Sequence, residues 1–235
     1  MGVQLNFPIE NWNFRSNSIL SNFPSDQFER LTQNESVKQY KKGEVIFKED
    51  SLPTGVFLLK EGKVKIYKMD AGDKEHIIYL AAKGDLFGYQ ALLSEERYND
   101  SASALEPSRI AFIPKNDFLE VLHSSELLSF RLLKNLGHEF RVLATNLCML
   151  AKRNVKERLA TQLMILKDKF NGEPETDHPT EISISRDDLA NLVGTARENV
   201  VRIISGFKAD GIVFTKGRKI TILNEQKLVE IATGT

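Results

Sequence analysis

The stretch SRDDLANLVGTARENVVRIISGFKADG, Ser185 to Gly211, decides the fold, because it reads as two short helices meeting at a tight corner at Gly194. Before the corner, Ser185 and Asp188 have the spacing of a capping box, and Leu189, Leu192 and Val193 form an apolar face with helical period. After it, Thr195 and Glu198 predict a second capping box, opening a helix that buries Val200, Ile203, Ile204 and Phe207 and stops at Gly211. Two helices joined at a glycine corner make a helix-turn-helix.

The first turn of the second helix points Arg197, Glu198 and Arg202 away from the buried stripe. In a helix-turn-helix that turn enters the major groove, where an arginine fork matches the two acceptors of guanine and a glutamate accepts from the cytosine amino group. These three residues are the candidate base contacts. Ser185, Arg186, Thr195 and Asn199, at the starts of the two helices, are candidate contacts to the DNA backbone. The alternative is that Arg197 and Glu198 decorate a solvated helix start and Glu198 only caps. Downstream, Ile212 to Thr215 and Ile220 to Leu223 read as strands around a basic tip, Lys216-Gly217-Arg218-Lys219. Lys216 and Arg218 suit phosphate contact there, with an ordinary solvated turn as the alternative.

Arg-Glu-Asn-Val-Val-Arg following Val-Gly-Thr-Ala resembles the recognition helix of the Crp/Fnr family of bacterial transcription regulators. The resemblance runs through nearly the whole chain. It implies an α+β architecture: an N-terminal β jelly-roll, cyclic-nucleotide-binding-like domain over residues 1–122, a long dimerisation helix over 123–152 and a C-terminal winged helix-turn-helix over 153–235.

Residues 37–114 carry short β-branched and aromatic runs punctuated by glycine, which reads as hairpin-rich β structure. The strand-length runs are Val45 to Phe47, Val56 to Leu59, Val64 to Tyr67, His76 to Leu80 and Ile110 to Ile113. Pro24-Ser25-Asp26 opens a short helix before them, and Phe118 to Leu122 a short helix after them. Lys42-Gly43-Glu44, Gly55-Val56-Phe57-Leu58-Leu59-x-x-Gly62 and Gly84-Asp85-Leu86-Phe87-Gly88 are similar to the cyclic-nucleotide-binding fold. Turn geometry alone accounts for these glycines, Gly88 excepted.

In nucleotide-binding relatives the stretch after the glycine matching Gly88 holds a glutamate for the ribose, then an arginine and backbone amides for the cyclic phosphate. Here Tyr89 stands at the glutamate position, and the arginine position falls on Asp100, or on Asn99. An aspartate repels a phosphate. The Thr-Ser pair that touches the base corresponds to Leu143-Ala144. The expectation is a pocket lined by Gly88, Tyr89, Gln90, Asn99, Asp100, Ser101, Ala102, Leu143 and Ala144, with Ser101 and Ala102 able to line a backbone nest, that does not bind cyclic AMP tightly.

From about Ser125 to Ala151 a long helical pattern carries Leu133, Leu136, Phe140, Leu143, Leu147 and Leu150 at steps of three, four, three, four and three residues. That is the seam of a two-stranded coiled coil and predicts a homodimer; a helix buried against its own barrel is the alternative. Asn154 and Glu157 then open a helix through Phe170 with Val155, Leu159, Leu163 and Leu166 on its buried side. A hinge is expected at Ala151 to Asn154.

The 235 residues have zero formal net charge, which gives no global push toward nucleic acid. Locally the balance differs: between Thr195 and Leu223 the cations Arg197, Arg202, Lys208, Lys216, Arg218 and Lys219 face only Glu198 and Asp210. No apolar run is long enough to span a bilayer and the N-terminus has no basic-then-apolar pattern, so the chain is expected to be cytoplasmic, without a membrane partner. The single cysteine, Cys148, is too few thiolates for an iron–sulfur cluster, and the scattered His76, His123, His138 and His178 predict neither metal nor haem. No phosphate-cradling, nucleophile-elbow or zinc-hydrolase motif is present, so no enzyme is expected. Double-stranded DNA, RNA polymerase, a second copy of the chain and an unidentified small effector are the expected partners. The competing readings are a ligand-sensing module whose C-terminal domain docks protein, and a regulator that needs no effector.

Overall fold

The computed structural model describes residues 7–72, 74–170 and 181–234. They divide into two units, one formed by Phe14–Phe140 and the other by the described residues on either side of it. The division falls inside the long helix, between Phe140 and Arg141.

In the first unit α1 (Asn17–Leu20) and α2 (Ser25–Thr32) precede the strands β1 (Ser36–Tyr40), β2 (Val45–Phe47), β3 (Gly55–Glu61), β4 (Val64–Met69), β5 (Glu75–Ala81) and β6 (Leu86–Phe87). After α3 (Tyr89–Leu93) come β7 (Ser101–Ala104), β8 (Ser108–Pro114), α4 (Lys115–Ser124) and the start of α5 (Glu126–Lys152). Two four-stranded antiparallel sheets result, ordered β1-β8-β3-β6 and β2-β7-β4-β5. Alternation along β3 explains its unbroken apolar run. Phe57 and Leu59 point between the sheets with Phe47, Ile66 and Ala102, whereas Val56 and Leu58 join the helices through Leu92, Phe118, Leu128 and Leu132. Both faces are buried.

Three strands lie outside the expected runs. β1 is an exposed edge, and β6 has two residues. β7, Ser-Ala-Ser-Ala, is wholly buried because β2 and β4 pair with it on either side. Gly55 is not a turn residue: it lies in β3, where a Cβ would come within 2.2 Å of the Ile113 carbonyl oxygen on the paired strand. Gly88, expected to be the exception, has φ of 78° and N-caps α3, so backbone conformation suffices to require it.

The second unit contains the end of α5, then α6 (Val155–Phe170), β9 (Glu181–Ser183), α7 (Arg186–Val193), α8 (Arg197–Ala209), β10 (Val213–Lys216), β11 (Lys219–Ile222) and α9 (Glu225–Thr233). The Asn154–Glu157 box forms: the Glu157 N–H donates to Asn154 Oδ1 at 3.1 Å and the Asn154 N–H to Glu157 Oε2 at 3.2 Å. Instead of one buried side, α6 is buried continuously from Leu159 to Leu166, because α7, α8, α9 and β9 surround it, and Val155 is only half-buried. The three strands form an antiparallel sheet ordered β10-β11-β9. Residues 171–180, including His178, lie outside the described residues.

Candidate nucleic-acid interface

The helix pair α7–α8 is built by its punctuation. The Ser185 hydroxyl accepts from the Asp188 N–H at 2.9 Å, which caps α7, and Gly194 ends it in the left-handed conformation at φ 71°. The second capping box does not form. α8 starts at Arg197 with Ala196 as N-cap and no side-chain cap, and Thr195 Oγ1 instead accepts from Asn199 Nδ2 at 3.1 Å. The helix begins one residue later than the box requires, so Glu198 lies in its first turn, not at the capping position.

Val200, Ile204 and Phe207 are buried and Ile203 is half-buried, which leaves Arg197, Glu198, Val201, Arg202 and Ser205 on the exposed face. Val201 and Ser205 were not among the expected contacts; their positions between the charged residues were the available signal. Two of the cations are already held. Arg197 Nε lies 3.2 Å from Asp187 Oδ1 on α7, with both side chains mostly exposed. Arg202 Nη2 donates to Asn199 Oδ1 at 3.1 Å, so Thr195, Asn199 and Arg202 form a polar ladder along the helix. The ladder engages one of the Arg202 donors, and a guanidinium carries five.

The backbone candidates behave differently from one another. The Ser185 hydroxyl is engaged in the cap, and Asn199 serves the ladder. Arg186 is half-buried, and burial pulls its pKa below the usual value. Lys216 and Arg218 are exposed at the hairpin turn around Gly217, whose φ is +59°, whereas Lys219 pairs with Glu181 at 2.5 Å.

In the first unit, Tyr89 is fully buried and donates to Glu139 Oε1 at 2.6 Å. Asn135 Nδ2 donates to the Tyr89 oxygen at 2.7 Å and to Glu139 Oε1 at 3.0 Å, and Gln90 Nε2 reaches Glu139 Oε2 at 3.3 Å. Burial raises the Glu139 carboxyl while these three donors pull it back, and burial raises the Tyr89 phenol. Asn135 and Glu139 were not among the expected site residues, although their four-residue spacing places both on one flank of the seam. Asp100 is half-buried, and burial pushes its pKa up to about 6, opposed by Lys68 and assisted by Glu49. Asn99 is exposed. Ser101 and Ala102 stand in β7, not in a loop, and Ser101 Oγ accepts from the Glu49 N–H at 2.9 Å. Leu143 and Ala144 belong to the second unit and are exposed on α5.

The groups such a barrel would hold do not fit these residues. On the matching that the resemblance implies, a cyclic phosphate would meet Asp100 or Asn99, neither of them a cation, and the ribose would meet Tyr89, whose hydroxyl is already bonded to Glu139. A thiolate-held cluster would find one cysteine, Cys148, exposed on α5. Among the described residues no three His, Cys, Asp or Glu side chains gather at metal-holding distance, and no helix is long and apolar enough to cross a membrane.

Along α5 an apolar stripe faces outward. Leu133 is 69% exposed, Phe140 76% and Leu147 69%, with Leu143 and Leu150 also exposed. Leu136 turns partly into the core of the first unit, and Leu127 and Phe130 extend the stripe toward the N-terminus of the helix.

The family described as "cyclic nucleotide-binding domain" matches residues 37–125, and that described as "Crp-like helix-turn-helix domain" matches residues 157–231. The chain is 26% identical over 207 residues to the fumarate and nitrate reduction regulatory protein of Vibrio cholerae, covering 88% of this chain and 82% of that protein. It is 27% identical over 194 residues to the transcriptional activator protein anr of Pseudomonas aeruginosa, covering 83% and 79%. The fold is similar to that of FixK2 from Bradyrhizobium japonicum, with TM-score 0.75 and 22% identity over 84% of this chain and 96% of that one.

Proposed function

This chain belongs to the Crp/Fnr family of transcription regulators, and from that premise we propose that it acts as a homodimer reading a palindromic DNA site. The observation that carries the proposal is the exposed face of α8, where Arg197, Glu198 and the Asn199-braced Arg202 share one surface. Arg197 and Arg202 supply guanine-matching forks and Glu198 a cytosine-matching acceptor. Lys216 and Arg218 on the hairpin contact phosphates, as do residues at the starts of α7 and α8. One helix reads only a few base pairs. The apolar stripe Leu133 to Leu150 supports pairing of two copies, which sets two reading helices one helical turn apart, at half-sites about 10 base pairs apart.

The protein is non-catalytic on this reading, works in the cytoplasm with RNA polymerase, and uses neither haem nor an iron–sulfur cluster. An effector pocket lined by Gly88, Gln90, Asn99 and Asp100 would take something other than cyclic AMP. The closed bonding of Tyr89 with Glu139 and Asn135 favours a second reading, in which the purified dimer binds DNA without any effector. Selection of bound sequences from a random duplex pool tests both: two inverted half-sites recovered without ligand support an effector-independent dimer. Recovery only with cell extract supports a gated one, and no enrichment in either condition with the dimer intact would favour a C-terminal domain that docks protein.

A further inference from the structure

Arg158, near the start of α6, donates from every nitrogen of its guanidinium to a backbone carbonyl. Nε reaches the Val193 oxygen at 3.1 Å, Nη2 the Gly194 oxygen at 3.2 Å and Nη1 the Arg153 oxygen at 3.0 Å. Val193 and Gly194 end α7 at the corner of the helix pair, and Arg153 follows the last residue of α5. Those carbonyls are among the unsatisfied groups that every helix leaves at its C-terminus, where a cation is also favoured by the helix dipole. A single planar fork therefore caps two helices and ties the hinge to the corner. The hinge is held from a second side, since the Arg153 guanidinium lies 5.7 Å from the centroid of the Trp12 ring.

We propose that Arg158 is the positioning residue that fixes the angle between the end of α5 and the helix pair, and thereby the half-site spacing the dimer accepts. This rests on the reading of the chain as a dimeric DNA-binding regulator. Inserting one base pair between half-sites moves one of them by about 3.4 Å along the duplex and rotates it by roughly 35°. A stiff hinge refuses that change; a loosened one follows it. Lysine cannot replace the fork, because its ammonium is a point charge that cannot hold three carbonyls in one plane. Of the carbonyls freed by substitution, those of exposed Gly194 and half-buried Arg153 lie at helix ends open to water, whereas Val193 is buried, so substitution also carries some cost in stability.

The test measures dissociation constants of the full-length wild type, Arg158→Gln and Arg158→Lys. The targets are the selected palindrome and versions with one base pair inserted or removed between half-sites, all at one salt concentration. Expected is a wild-type preference for the native spacing that falls about tenfold in Arg158→Gln and by less in Arg158→Lys, with sequence preference within each half-site and dimer mass unchanged. The inference is overturned if Arg158→Gln weakens all spacings equally, or changes none. If Arg158→Gln does not fold, the same ratio in Arg158→Lys decides. Wild-type protein that bound no palindrome would instead overturn the dimeric DNA-binding reading.

Discussion

The phenolic oxygen of Tyr89 lies 2.6 Å from Oε1 of Glu139, linking the residue after the Gly88 turn to the inner face of α5. The relationship makes a buried carboxylate tolerable, since Tyr89, Asn135 and Gln90 supply the donors that burial removes with water. Tyr89→Phe is expected to lower the stability of the first unit by about 1–3 kcal/mol at neutral pH, where Glu139 needs a donor for its charge, and by less in acid. Glu139→Gln keeps an acceptor for Tyr89 and removes the charge, so its cost should be smaller. Thermal unfolding of the two variants at pH 4.5 and 7.5 checks the order.

Asp100 sets a pH dependence of known sign. Its folded-state pKa is about 6, above the ordinary 3.8, because burial disfavours the charged form. The folded chain thus holds this proton more tightly than the unfolded chain does. Its contribution is fully present below about pH 4 and is lost as pH rises through about 6. Asp100→Asn should flatten that part of the stability profile and raise the unfolding free energy at pH 7.5 by on the order of 2 kcal/mol. Unfolding in urea at pH 4, 6 and 7.5 gives the difference directly; equal slopes for wild type and variant would contradict it.

What was legible in the chain was local. The Gly194 corner, the Ser185–Asp188 cap, the Asn154–Glu157 box and the β-branched runs are written in neighbouring residues and are present in the structure. β7 was not legible, because Ser-Ala-Ser-Ala has no strand pattern of its own and is buried only through β2 and β4. α6 looked amphipathic until α9 closed over it, and the packing of α9 is a long-range event. α5 carries an apolar stripe on one face and the polar pair Asn135–Glu139 on another, and only the stripe has a regular period in the sequence. Thr195 illustrates a spacing match that failed: its hydroxyl accepts from the Asn199 side chain, and the helix starts after Ala196.

The ladder Thr195–Asn199–Arg202 predicts a graded effect on sequence reading. On the proposed reading of α8, Arg202→Ala removes a guanine-matching fork and is expected to cost about 1–3 kcal/mol at one base position, relaxing preference there. Asn199→Ala leaves the fork but removes the acceptor that aims it. Its loss should be smaller and confined to the same base. Competition binding against half-sites altered one base at a time distinguishes them, and an Asn199→Ala effect spread over every position would indicate a phosphate contact instead.

The hairpin cations predict the opposite signature. Lys216 and Arg218 stand exposed at the Gly217 turn, where a phosphate contact carries no sequence information. Lys216→Ala should weaken specific and non-specific duplexes alike and reduce the slope of log affinity against log salt by about 1. Lys219→Ala should do less, because its ammonium already pairs with Glu181. Titrations between 50 and 200 mM salt, roughly the range over which such contacts are screened, read both effects.

The stripe on α5 makes the strongest demand. Leu133, Phe140 and Leu147 are large apolar side chains held in water along one helix face. Hydrophobic burial favours any partner that covers them, and heptad spacing favours an identical helix. Leu147→Glu places a charge where two such helices would meet, which should weaken dimerisation by about 100-fold or more, whereas Leu147→Ala only shortens the contact and should cost less. Sedimentation equilibrium across micromolar concentrations measures this. Palindrome affinity should fall with the dimer in Leu147→Glu, while far-ultraviolet helicity stays near wild type, because Leu147 is 69% exposed within its own chain. A Leu147→Glu protein that remained a dimer would remove the stripe from the interface and leave the spacing of the reading helices without a cause.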